Sequence, residues 1–144
     1  MQLLAGNGKD TRHTANLCTP GTNVVMDDKL FTPHCIDSKS QTFHGDQWVH
    51  VEALVLGDSL IQHIVGVDTV LQYSKPQYDG RDPWVKKAGL KGGELIKEGY
   101  ISLQSESHPV QYRKVIIYDL AEYMNDKKKL GEALARLRTR RSNK

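Results

Sequence analysis

The residues able to do chemistry gather at two places: Gln104, Glu106, His108 and Arg113, and His50, Glu52 and His63. Gln104 and Glu106 are two apart, so on a strand they share a face. Amide, carboxylate and guanidinium groups are planar and grip the vicinal hydroxyls of a sugar ring in bidentate fashion. The ordinary alternative is a solvated Glu106–Arg113 pair on a turn, and the pattern alone does not separate the two. His50 and Glu52 also share a face, with His63 expected within reach on the partner strand. A carboxylate beside imidazoles can work as base and acid near neutral pH. For His50 the exposed polar face of a sheet is the favoured reading. Trp84 and Tyr78 lie in a polar connection, where an aromatic ring stacks on a sugar or anchors the loop. Trp48 begins a strand and reads as core.

Strands must position these groups. Gly99 to Leu120 is expected to form a hairpin: Ile101 and Leu103 alternate with polar neighbours, Ser105 to Pro109 breaks the ladder, and Gln111 to Tyr118 resumes it. A meander is expected over residues 47–73. Its first strand alternates through Val49, Val51, Ala53 and Val55, turns at Gly57-Asp58-Ser59 and returns over Leu60 to Val65. A second turn at Gly66-Val67-Asp68 leads into Thr69 to Tyr73. Val24 to Met26 is read as a short strand joined through Asp27-Asp28-Lys29 to Leu30-Phe31. Residues 74–98 form a long connection, of the kind that often carries function. A helix is expected from about Asp126 to Arg138, followed by a disordered basic end.

The bulk properties limit the partners. The 144 residues carry a formal charge of +3, yet residues 127–144 hold eight basic residues against the single acid Glu132, a net +7. The remainder is therefore about −4, so the basic balance belongs to the tail and gives little support to a nucleic-acid role. No apolar run approaches the roughly 18 residues of a membrane span, and no signal-peptide pattern opens the chain.

The segments His44-Gly-Asp-Gln-Trp-Val-His-Val-Glu52, Ile61-Gln-His-Ile-Val-Gly66, Gly99-Tyr-Ile-Ser-Leu-Gln104 and Pro109-Val-Gln-Tyr-Arg-Lys-Val115, in that order, resemble the 3-keto-disaccharide hydrolase domain family. Asn16 to Thr22 and Thr32 to Cys35 look like one branch of it. The resemblance implies an all-β, concanavalin-like jelly-roll sandwich over residues 1–120, with residues 121–144 as a helical, basic extension. It also implies that several strands of the full domain lie upstream of the matching region. An incomplete sandwich would leave strand edges for an oligomer or partner to cover. A periplasmic or extracellular location follows from the same resemblance.

The implied activity is that of a hydrolase of 3-keto glycosides, acting by base-assisted elimination followed by hydration. Glu52 or Glu106 is then the base and His63 or His108 the acid, while Gln104, Arg113, Trp84 and Tyr78 bind substrate. The route also needs an electrophile or a divalent metal to hold the enolate, and the residues do not specify which. The alternatives are a lectin-like binding module without catalysis and an inactive remnant. Cys18 and Cys35, the only cysteines, are expected to pair in an oxidising compartment. A zinc site with His13, His34 or His44 matches no standard spacing.

Overall fold

The computed structural model describes residues 1–105 and 108–142. It divides into two compact units, Met1–Tyr100 and Ile101–Lys144. In the first, β2 (Thr22–Met26), β3 (Lys29–Phe31), β5 (Val51–Leu56), β6 (Leu60–Val65) and β7 (Asp68–Tyr78) form one sheet in the order β3-β2-β7-β6-β5. Every neighbouring pair is antiparallel. A separate two-stranded ladder joins β1 (Leu17–Cys18) to β4 (Cys35–Ile36). The described residues thus form an all-β fold with a C-terminal helix. The three strands of the meander are present, but β5 begins at Val51 rather than near Gln47, β7 runs on to Tyr78 into the expected connection, and Trp48, expected in the core, is 52% exposed.

Turn chemistry explains the hairpins. Asp27 and Asp28 both sit at positive φ, the backbone pair that a type I′ turn needs, and short Asx side chains tolerate it best. Gly66 takes the positive φ at the first position of the two-residue β6–β7 turn, where a side chain would be strained.

The β6–β7 ladder carries one irregularity that shapes the core. Gln62 pairs with Gln72 and His63 with Leu71, but Ile64 pairs with Thr69, leaving Val70 as an extra residue. This bulge lets Val70 and Leu71 both be buried although they are adjacent in sequence. Val70 joins Ala15 and Val65, with Phe43, Val49 and Val51 packed around them. Leu71 joins Leu17 and Val24, backed by Met26, Phe31, Ile36 and Tyr73. The β1–β4 layer therefore covers one face of the large sheet. Residues 14–16 are fastened to 38–40 by buried hydroxyls and amides: the Thr14 carbonyl accepts from Ser38 Oγ and Ser40 Oγ, and Asn16 Oδ1 accepts from the Ser38 amide.

Cys18 and Cys35 lie directly opposite each other in the β1–β4 ladder and are joined by a disulfide. Closing a loop of 17 residues is worth roughly 3 kcal/mol in the chain-entropy account. Reduction is expected to lower the unfolding free energy by about that amount, read as a drop in the urea midpoint with dithiothreitol. An unchanged midpoint, with two thiols titrating only after reduction, would show that the bridge stabilises nothing.

The long connection after β7 folds back on that strand. The Tyr78 amide donates to Glu94 O, the Gly93 amide to Tyr78 O and the Ile96 amide to Pro76 O. The chain crosses itself at Gly80 and Gly92, where a Cβ on Gly92 would sit 2.6 Å from the Gly80 Cα. Only glycine permits that approach. Between the two glycines lies α1 (Pro83–Lys87), whose first turn is capped by the Asp82 carboxylate accepting from the Trp84 and Val85 amides.

The second unit corrects one expectation. No strand forms among the described residues between Ile101 and Leu120, so the Gly99–Leu120 hairpin is absent as a ladder. The fold-back itself is present: Tyr112 Oη donates to Gln104 O at 2.7 Å, and Ser105 Oγ donates to His108 O at 2.6 Å. The physical reason is pairing. An isolated two-stranded ribbon is marginal in water, and Lys114 at φ 53° interrupts the extended run. Ile101, Leu103, Val115, Ile116 and Ile117 are left exposed. Beyond them, α2 (Lys127–Ser142) starts where expected, with Asp126 Oδ1 accepting from the Lys128 and Lys129 amides. It extends four residues past the expected end at Arg138. Leu130, Leu134 and Leu137 are half-buried along one side, and the helix packs on the 3-10 turn Ala121–Tyr123.

Candidate functional site

The face of the β5-β6-β7 sheet opposite His63 carries the most suggestive constellation, although Ile64, the cross-strand partner of Glu52, is itself buried there. Glu52 on β5 meets the imidazole of His50, whose Nε2 lies 2.7 Å from Oε1. Both are solvent-accessible, with side-chain exposures of 55% for His50 and 28% for Glu52. Leu54, two residues on and thus on the same face as Glu52, stands opposite Gln62, which stands opposite Gln72. Gln62 Nε2 donates to Gln72 Oε1 at 2.7 Å, a cross-strand amide rung. The face therefore presents a carboxylate held by an imidazole beside two amides with donors and acceptors at fixed spacing. Such a set can take up a proton and grip hydroxyl groups.

His63 lies on the other face. Ala53, not Glu52, is its cross-strand partner, so the two candidate groups project from opposite sides of the sheet. His63 is 1% exposed. Its Nδ1–H donates to Ala15 O at 2.7 Å, and its Nε2 accepts from Tyr73 Oη at 3.2 Å. That pair of bonds describes a neutral imidazole with the proton on Nδ1. Burial lowers its pKa to about 4, and burial also pushes the Tyr73 hydroxyl up to about 12. Ala15, which receives the bond, is buried at φ 59°, so its carbonyl is aimed by a backbone that alanine seldom adopts. His63 is placed as a core histidine, away from any solute on the face that carries Glu52.

Tyr78, at the end of β7, is half-buried in a groove shared with residues 94–98. Trp84 is 72% exposed on α1, with Lys87 Nζ 4.9 Å from its ring centroid. Near them in sequence is a cluster that residue patterns did not single out. Arg81 donates to both Asp79 carboxylate oxygens, and its Nη2 also reaches Asn23 Oδ1 and Thr32 O. These bonds hold the Asp79 carboxyl well below the usual carboxylate range.

Gln104, His108 and Arg113 belong to the second unit. Gln104 and Arg113 are exposed, and the His108 Nδ1 donates to Pro109 O at 3.1 Å. Glu106 lies outside the described residues. Glu52, His63, Tyr78 and Trp84 belong to the first unit, where Glu52 projects from the sheet face opposite His63. Among the described residues no group of three or more His, Cys, Asp or Glu side chains is arranged to hold a metal ion. No helix among them is long and apolar enough to cross a membrane.

The family model of the 3-keto-alpha-glucoside-1,2-lyase-like domain matches residues 1–118. No curated protein and no solved structure matches the chain.

Proposed function

The chain belongs to the 3-keto-alpha-glucoside-1,2-lyase-like domain family, whose members are carbohydrate-active, and from that premise we propose that it cleaves 3-keto glycosides with Glu52 as the base. The observation that carries this reading is the His50–Glu52 pair on a sheet face furnished with the Gln62–Gln72 rung. A ketone at C3 acidifies the hydrogen at C2. Glu52 takes that proton, the C1–O bond to the aglycone breaks, and the leaving oxygen collects a proton from an acid. Water then adds to the enone, regenerating a 3-keto sugar. His50 orients the carboxylate and passes the proton on to solvent. In the first unit Trp84 and Tyr78 remain the candidate substrate contacts; in the second, Gln104 and Arg113 remain candidate contacts, with Glu106 as the alternative base and His108 as the alternative acid. The disulfide and the family together favour a periplasmic or extracellular setting. Residues 1–120 act as the sugar-handling domain and 121–144 as its extension.

A second reading, a lectin-like module that binds without turnover, is supported by the burial of His63, which removes one acid from the face that carries Glu52. Both readings are tested by incubation with a 3-keto disaccharide in heavy water, with and without divalent metal. Aglycone release with deuterium entering at C2 is the expected result. Glycan binding without release would select the lectin-like reading, and release without label would replace elimination by direct hydrolysis. Neither binding nor release would leave an inactive remnant.

A further inference from the structure

We propose that the extended segment 109–118 is a donor strand that adds to the free edge of β5 in a second copy of the chain, reciprocally, to make a closed dimer. β5 ends the five-stranded sheet, and no strand pairs with its outer side among the described residues. Its backbone polar groups on that side form an open template of the kind that recruits another strand. On the core-facing side of that edge, Ala53 is exposed and Val55 is 55% exposed, because nothing continues the apolar face beyond them.

The segment 109–118 has complementary needs. It is rich in β-formers, yet no strand forms in it, and Val115 and Ile117 are 62% and 73% exposed. Two residues apart, they would share a face of a strand and continue the apolar surface past Val55. Pairing would also draw Lys114 out of its left-handed backbone into the extended region.

Charge favours a second copy as the occupant. Residues 40–74, which include β5 and β6, contain Asp46, Glu52, Asp58 and Asp68 and no Lys or Arg. Residues 109–118 contain Arg113 and Lys114 and no acid, within a second unit of ten basic and five acidic residues. Each copy thus carries one acidic edge and one basic strand. Two reciprocal additions satisfy both at once and use up both β5 edges and both donor segments, so the same pairing recruits no third copy.

Light scattering coupled to gel filtration on the full chain, at low and at high salt, provides the test. A dimer is expected, converted to monomer by Ile117→Lys and independently by Val55→Lys, each with an unchanged far-ultraviolet spectrum. Both side chains are already exposed, so neither change should unfold the monomer. Three results would overturn the proposal: a monomeric wild type, a dimer indifferent to both substitutions, or a monomer whose amides over 113–118 resist hydrogen exchange. The last would place the strand within its own chain.

Discussion

Replacing Glu52 with Gln is expected to lower turnover of a 3-keto glucoside by about 10²–10⁴-fold, the usual contribution of a positioned general base. The amide would keep the shape of the side chain and could still pair with His50, so the sheet should fold as before. What the variant loses is the ability to accept the C2 proton. The loss should therefore fall on kcat and leave KM nearly unchanged, because the substrate contacts are elsewhere. A His50→Asn variant should give a smaller loss, since the carboxylate keeps its basicity and loses only its orienting partner and its relay to solvent. Rates for Glu52→Gln equal to those of the parent chain would remove Glu52 from the mechanism.

Lowering the pH from 7 to 4 is expected to cost roughly 3 kcal/mol of folding stability through His63 alone. The sign follows from the direction of the shift. In the fold the imidazole resists protonation until about pH 4, while in the unfolded chain it titrates at 6.5. Between those values the unfolded state binds more protons, so stability falls as pH drops and levels off once both states are protonated. At about 1.4 kcal/mol per pH unit, the gap between 6.5 and about 4 gives the figure quoted. Urea midpoints at several pH values measure it, and a His63→Gln variant isolates it by flattening the profile over this window. Asp79, held low by Arg81, acts through the range below its normal value of 3.8, so its loss comes later in an acid titration. Identical profiles for the parent and the His63→Gln chain would show that the buried imidazole titrates normally.

The alternation of residues 49–73 made the meander legible because each strand has a partner beside it. The Asp27-Asp28 hairpin and the start of α2 were legible for a similar reason: two left-handed aspartates make the turn, and the Asp126 side chain caps the helix. His63 shows what could have been read better. It alternates with Ile61 and Val65, both buried, and that pattern puts it on the core side. The Gln62–Gln72 rung was not legible. Counting back from the Gly66-Val67 turn sets Gln62 opposite Leu71, and only the extra residue Val70 moves it to Gln72. The hairpin at 99–120 failed for a different reason. Its local pattern suits a strand, but strands are made by neighbours, and the pattern does not say where the neighbour is.

The extra residue at Val70 also bears on how this sheet can diverge. Removing it would turn two-against-one into simple pairing, with Leu71 still opposite His63 and Gln72 still opposite Gln62. What would go is the side chain that packs with Ala15 and Val65. A residue gained or lost elsewhere in β7 has no bulge to absorb it and reverses the face of every residue beyond it. Along this strand, one position tolerates drift in length while its neighbours do not.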